Sequence, residues 1–385
     1  MINTLLNIQE FIKLAEEYAV IDVRSPSEFE QGHIPGAYNI PLFDNEERAK
    51  VGTAYKQISR QKAIEIGYEL ANPKSNSFIK RIEEILNNQQ SNNRTNEYSN
   101  SEPKTTNHQP QTVLVHCWRG GMRSSKFAEM LNKHGYKTHT LVKGYKAYRN
   151  FVLESFAHDV YIFIVGGETG SGKTEILKKI SELGEQVIDL EAIAHHKGSA
   201  FGSLGEKPQP THEQFENDLS HQWMAAVSPL SGGEGLPRRQ AGQGVRLWLE
   251  DESRNIGKTQ IPLSIWQKMK QAPIFRVNIP RQLRIDRLVN EYGKFSKQEL
   301  ASCILRIERR LGPQHAKHAL EELEKGNLKE VAEITLAYYD RAYNYNHELR
   351  KMKDVFIVDC ATDDASENAN RVIGFANQKF KMNYV

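Results

Sequence analysis

The segment YIFIVGGETGSGKTEILKKI, Tyr161 to Ile180, constrains this chain more than any other. An apolar run, a loop in the G-x-x-x-x-G-K-[ST] spacing and a helical pattern follow one another without a gap. Such a loop needs a buried strand beneath it and a helix N-terminus after it, so that backbone N–H groups converge on a phosphate. Gly167, Gly170, Ser171 and Gly172 form the wrap, Lys173 neutralises terminal oxygens, and the Thr174 hydroxyl holds Mg²⁺. The motif specifies a polyphosphate. No adenine-recognising residues are legible, so whether ATP is bound or hydrolysed stays open. An acid at the end of a neighbouring strand completes the metal site. Asp189 after QVI and Asp251 or Glu252 after VRLWLE are the candidates, and Asp251 is preferred because VRLWLE reads as the Walker B strand. Each acid also reads as a helix cap or a solvated loop carboxylate.

A second loop carries different chemistry. In VLVHCWRGGMRSSKFAEML, Cys117 directly follows a buried-type strand and precedes an amphipathic helix. Loop N–H groups, the helix N-terminus, Arg119 and Arg123 then make an anion cradle that favours a nucleophilic thiolate. The alternative is a cysteine buried as a small hydrophobe. Upstream, AVIDVRSPSEFEQGHIPGAYNIP resembles the N-terminal signature of rhodanese domains, from Asp22 and Arg24 through Glu28, Gly32, His33 and Pro35 to Ala37. That resemblance makes Asp22 and His33 architectural rather than catalytic. Arg123 lies six positions after Cys117, a loop one residue longer than in the usual sulfur-transferring rhodaneses. Rhodanese-fold phosphatases have the same Cys-to-Arg spacing, so phosphoester hydrolysis competes with sulfur transfer.

Length allows two ordinary domains in 385 residues. The boundary is expected near Phe151 to Asp159, giving a rhodanese-like domain over 1–150 and a P-loop domain over 159–385. Apolar runs followed by turns and helical patterns predict α/β folds with parallel sheets. Candidate strands are Ala19 to Val23, Thr112 to His116, Tyr161 to Gly167, Gln186 to Leu190, Val245 to Glu250 and Ile274 to Ile279, and 297–350 reads as mostly helical. Two polar tracts, 87–112 and 228–244, read as loop insertions, because such compositions bury too little apolar area to offset ~1–2 kcal/mol of ordering entropy per residue. With 39% hydrophobic residues, no run near the roughly 18 apolar residues of a membrane span, and an acidic amphipathic helix pattern over the first 18 residues, a cytoplasmic location without a membrane is expected. Three dispersed cysteines exclude a disulfide framework and a CxxC zinc site.

The net charge of +3 permits RNA without requiring it. Arg281, Arg284 and Arg287 at helical spacing make one basic face, and Arg306, Arg309 and Arg310 follow, with Tyr292, Tyr338, Tyr339, Tyr343 and Tyr345 nearby. These suit phosphate contact and base stacking, or else ordinary helix ion pairs and core tyrosines.

Taken with the two loops, the blocks Glu47 to Leu70, Leu190 to Gly202, Leu249 to Gly257, Arg306 to Pro313 and the YYD at Tyr338 resemble the tRNA 2-selenouridine synthase family nearly end to end. The polar tracts are departures from it. The resemblance implies replacement of the 2-thio sulfur of wobble 2-thiouridine in tRNA by selenium, with selenophosphate as donor and an enzyme that makes it as partner. It also implies S-geranylation from geranyl diphosphate as an intermediate step. Cys117 then carries selenium and the Lys173 loop cradles the diphosphate. A rhodanese-type sulfurtransferase or phosphatase with an accessory P-loop domain is the rival.

Overall fold

The computed structural model describes residues 3–95, 110–227, 246–349 and 354–380. The chain divides into two compact units, residues 1–154 and 155–385. The tract 228–244 lies outside the described residues.

The first unit runs β1 (Thr4–Leu6), α1 (Ile8–Ala15), β2 (Ala19–Asp22), α2 (Pro26–Gln31), β3 (Tyr38–Asn39), α3 (Asn45–Gln57), α4 (Arg60–Ala71), α5 (Ser75–Thr95), β4 (Thr112–His116), α6 (Met122–Lys133), β5 (Lys137–Leu141) and α7 (Gly144–Ser155). Its sheet is parallel throughout, in the order β1-β5-β4-β2-β3. A parallel strand covered on both faces must be apolar throughout, and β4 is: Val113, Leu114 and Val115 are fully buried. Cys117 therefore leaves the C-terminal end of the central strand, where open α/β sheets place ligands.

Two expectations change here. The first 18 residues do not form one helix: Thr4–Leu6 pairs with β5, and α1 starts after Asn7, whose side chain accepts from the Glu10 N–H while Glu10 accepts from the Asn7 N–H. That reciprocal cap is a strong start signal placed inside the apolar pattern. The tract expected as a loop from Asn87 instead continues α5 to Thr95. Phe78, Ile82, Ile85 and Leu86 anchor that helix in the core, and extending an existing helix is far easier than starting one.

The second unit runs β6 (Tyr161–Gly166), α8 (Lys173–Glu182), β7 (Gln186–Val187), α9 (Leu190–Ala194), α10 (His212–Val227), β8 (Arg246–Glu250), β9 (Asn255–Ile256), β10 (Thr259–Gln260), α11 (Leu263–Met269), β11 (Ile274–Asn278), α12 (Arg281–Tyr292), α13 (Lys297–Leu311), α14 (Pro313–Lys325), α15 (Leu328–Leu349), β12 (Val355–Asp359) and α16 (Ala365–Phe380). The main sheet is again parallel, ordered β12-β11-β6-β8-β7, with β9 and β10 a small antiparallel pair. Phe163, Val165, Trp248 and Phe275 form its core with Ile176 and Ile180 of α8 and Val372 of α16. At ~1.5–3 kcal/mol for each such side chain, this packing is what holds β6 rigid beneath its loop. The run QVIDL is a strand only over Gln186–Val187, because Asp189 turns to cap α9 by accepting from the Ala192 N–H at 2.7 Å. Helices α13 to α15 bury their own cluster, including Cys303, Ile304 and Leu323. Among the described residues, no helix is long and apolar enough to cross a membrane.

Candidate functional site

In the first unit Cys117 is buried, and its Sγ lies 3.2 Å from Ser124 Oγ, a hydroxyl that also donates to the Gly121 carbonyl at 3.1 Å. The loop is closed by the turn into α7: Tyr145 N–H donates to the Cys117 carbonyl at 2.8 Å and Lys146 N–H to the Trp118 carbonyl at 3.0 Å. Gly144, at φ 57°, has to be glycine. A Cβ there would come within 2.2 Å of the Cys117 carbonyl oxygen. The two arginines of the cradle are placed differently. Arg119 is exposed and makes no ion pair among the described residues, whereas Arg123 is held by Glu28 at 2.7 Å. Glu28 also accepts from the Ser25 N–H at 3.0 Å and Arg48 at 3.4 Å. Burial works to raise the Glu28 carboxyl, but Arg123 and the other donors outweigh it and hold it below its usual range.

Beneath the loop, Arg24 pairs with Asp22 at 2.6 Å, donates to the Gly32 carbonyl at 2.7 Å and stacks 3.7 Å from the Tyr145 ring centroid. Asp22 and Arg24 are fully buried, so this pair shapes the unit rather than meeting substrate. His33 stacks on Phe29 and bonds to its carbonyl. Burial, opposed by the Asp22 charge and reinforced by Arg24, lowers His116 to about 4. Its Nε2 is 3.7 Å from Asp22 Oδ2.

In the second unit the glycine loop opens onto a polar cleft of about 440 Å³. Gly172 takes φ 70°, and a Cβ on it would meet the Arg287 guanidinium at 2.7 Å. Lys173 Nζ bonds back to the Gly167 carbonyl at 3.0 Å, and Ser171 Oγ is buried without a hydrogen-bond partner among the described residues. Gly167 N–H donates to Tyr343 Oη at 2.8 Å, and that hydroxyl donates to Asp251 Oδ2 at 3.0 Å. Burial, and then the Asp251 charge, push the Tyr343 phenol well up.

The carboxylate bonded to Thr174 is Glu191, at 3.2 Å, whereas Asp251 is the acceptor of Tyr343. Asp251 itself continues the β6–β8 ladder, its N–H donating to the Val165 carbonyl at 3.0 Å. Glu252 is buried against Gly198 and beside Glu191. Burial raises both carboxyls above their usual range against the pull of Lys173; the Asp189 charge adds to the rise of Glu191, and the Glu191 charge to that of Glu252. No group of three or more His, Cys, Asp or Glu side chains is arranged to hold a metal among the described residues. The oxygen donors that surround Thr174 are of the kind magnesium takes together with phosphate and water.

The α12 arginines require a correction. Arg284 is buried: it donates to the Thr169 carbonyl at 3.2 Å and pairs with Glu168 at 3.0 Å and Asp340 at 2.8 Å. Arg287 pairs with Glu175 at 3.0 Å and Asp363 at 2.5 Å, against Gly172. Only Arg281 of the three is exposed, donating to the Glu333 carbonyl. Helical spacing placed them on one face, but that face packs on the phosphate loop. Arg306, Arg309 and Arg310 are exposed on α13, and Arg306 donates to the Ala200 carbonyl. Tyr292, Tyr339 and Tyr343 belong to the cleft wall, and Tyr345 is exposed. Sequence reasoning missed Glu191, Lys197 and Arg287 as cleft residues. Glu191 and Lys197 stand inside the LEAIAHHKGSAFG block, but nothing in a lone segment says which carboxylate Thr174 will meet.

The tRNA 2-selenouridine synthase AAA domain family matches residues 160–370, and the rhodanese-like domain family matches residues 7–151. The chain is 30% identical to the tRNA 2-selenouridine synthase of Bdellovibrio bacteriovorus, across 88% of this chain and 91% of that protein. It is 31% identical to that of Serratia proteamaculans, across 89% and 90%. The corresponding Shewanella piezotolerans protein is 32% identical, across 89% and 92%.

Proposed function

The chain belongs to the tRNA 2-selenouridine synthase family, and from that premise we propose that it replaces the 2-thio sulfur of wobble 2-thiouridine in tRNA with selenium in two stages. In the first stage the second unit alkylates the sulfur with geranyl diphosphate: sulfur bonds to the geranyl carbon, diphosphate leaves, and the base N3 loses its proton. Lys173 and Arg287 neutralise the leaving diphosphate, and the loop amides orient it. A carboxylate at Glu191 or Glu252 lies in the same cleft to accept the proton. Thr174 with Glu191 or Asp251 is the oxygen set that would hold magnesium, which supplies further charge neutralisation to the diphosphate.

In the second stage selenium displaces the geranylthiol, a better leaving group than the thiocarbonyl sulfur it replaces. In this reading the selenium of selenophosphate bonds to C2 of the base, geranylthiol leaves with a proton, and water then takes the phosphoryl group as phosphate. The Cys117 loop holds the donor, and an enzyme that makes selenophosphate is the supplier. The loop amides and the exposed Arg119 face the anion, and Arg123 orients the loop through Glu28. Exposed Arg306, Arg309 and Arg310 supply phosphate contacts for tRNA.

The observation that carries this reading is one chain holding both a buried thiol at the end of a central strand and a glycine loop that opens onto a polar cleft with Lys173, Lys197 and Arg287 in its lining. Nucleoside mass spectrometry of 2-thiouridine tRNA incubated with geranyl diphosphate and selenophosphate tests it. The native chain is expected to give 2-selenouridine, Cys117→Ser to accumulate geranylthiouridine, and Lys173→Ala to form neither. An unchanged base with consumption of thiosulfate or a phosphoester would replace this reading with the sulfurtransferase or phosphatase one.

A further inference from the structure

Beside the phosphate cleft, within the helical part of the second unit, lies an apolar cavity of about 60 Å³. Val289 of α12, Leu300 of α13, and Leu328, Val331 and Leu336 of α15 line it, with Phe201. Thr169, Ser199, Leu288, Tyr292 and Tyr339 line both this cavity and the cleft that holds Lys173. A polyphosphate site thus runs into a hydrocarbon-lined one across a shared wall.

Thr335, Ser199 and Tyr339, polar side chains of the cavity lining, are already engaged. Thr335 donates to the Val331 carbonyl at 2.9 Å and the Ala332 carbonyl at 3.1 Å. Ser199 accepts from the Phe201 N–H at 3.2 Å and bonds with Tyr292 and Tyr339. Tyr339 Oη accepts from the Ala200 N–H at 3.2 Å. A purine entering here would bury its ring nitrogens and amino group without partners, whereas an alkyl chain has none to satisfy.

We propose that this cavity binds the hydrocarbon tail of an alkyl diphosphate whose head group lies on the Lys173 loop. The proposal rests on the prenyl-transferring reading of the second unit and adds where the tail sits and what limits its length. At ~10–15 Å³ for each water-sized position, the cavity offers about four to six positions, room for roughly five carbons. A ten-carbon tail fills it with its outer half and lays its inner half along Leu288 and Tyr292. A fifteen-carbon tail outruns it.

The test is binding to the full chain of inorganic diphosphate, geranyl diphosphate, farnesyl diphosphate and ADP, alongside geranyl transfer to 2-thiouridine tRNA. Geranyl diphosphate is expected to bind about 100-fold more tightly than inorganic diphosphate, and farnesyl diphosphate more weakly than geranyl. Val289→Phe, which fills the cavity, should cut the geranyl advantage about tenfold or more while inorganic diphosphate binds as before, which also reports an intact fold. Leu328→Ala, which opens the cavity, should favour farnesyl diphosphate. Geranyl transfer at native affinity in both variants would put the tail elsewhere and leave the prenyl-transferring reading standing. Absence of both alkyl-dependent binding and transfer would remove the two together. ADP binding that depends on Val289 would assign the cavity to a nucleotide base and overturn the proposal.

Discussion

His116 and Glu252 are buried titratable side chains whose shifts have opposite consequences. His116 is lowered to about 4 by burial, so as pH falls the unfolded chain takes up its proton first, near 6.5. The stability this residue contributes is complete above the unfolded value and is lost as pH falls toward about 4, up to ~3 kcal/mol. Glu252 is raised by burial and by Glu191, so the folded chain keeps its proton longer than the unfolded one does. Its contribution is present below the usual carboxylate range and is lost as pH rises through the raised value. Acidification from pH 7 to 5 should therefore lower the hydrogen-exchange protection factors of β4 amides, with the intrinsic rate at each pH divided out, and His116→Gln should flatten that dependence. Protection factors in β4 that stay the same across this range in the native chain would contradict the assignment.

At the scale of elements, α12 is the instructive case. Its three arginines were legible as a stripe, and a stripe of arginines on an isolated helix suits RNA as well as it suits acids. What decides is the neighbour: the face carrying Arg284 and Arg287 meets Glu168, Glu175, Asp340 and Asp363 around the glycine loop. Arg284→Met leaves Glu168 and Asp340 without their buried partner and should cost ~3 kcal/mol of stability in the second unit, read by thermal unfolding. Diphosphate affinity should fall with it, while the salt dependence of tRNA binding stays the same. A reduced salt slope with unchanged stability would return Arg284 to the RNA surface. Local signals also misled at β7, where QVIDL has strand composition but Asp189 satisfies the first turn of α9 more favourably than it could extend a ladder.

For the whole molecule, the proposed function divides between the two units, and a mixing experiment tests the division. Cys117→Ser chains retain the diphosphate loop, and Lys173→Ala chains retain the thiol. Incubated together with tRNA and both co-substrates, they should restore 2-selenouridine that neither forms alone. No product from the mixture would mean that one chain must carry a tRNA through both stages. The sequence by itself determined the strand, loop and helix around Lys173, the same arrangement around Cys117, and the parallel α/β character of both units. These are local: a glycine loop between an apolar strand and a helix start is written in consecutive residues. Tertiary structure alone decided that Glu191 meets Thr174, that Tyr343 bridges Gly167 and Asp251, and that Arg123 is committed to Glu28. Each of those pairs joins residues 17 to 176 positions apart, and such partners are chosen by how helices pack on the sheet, which no single segment encodes.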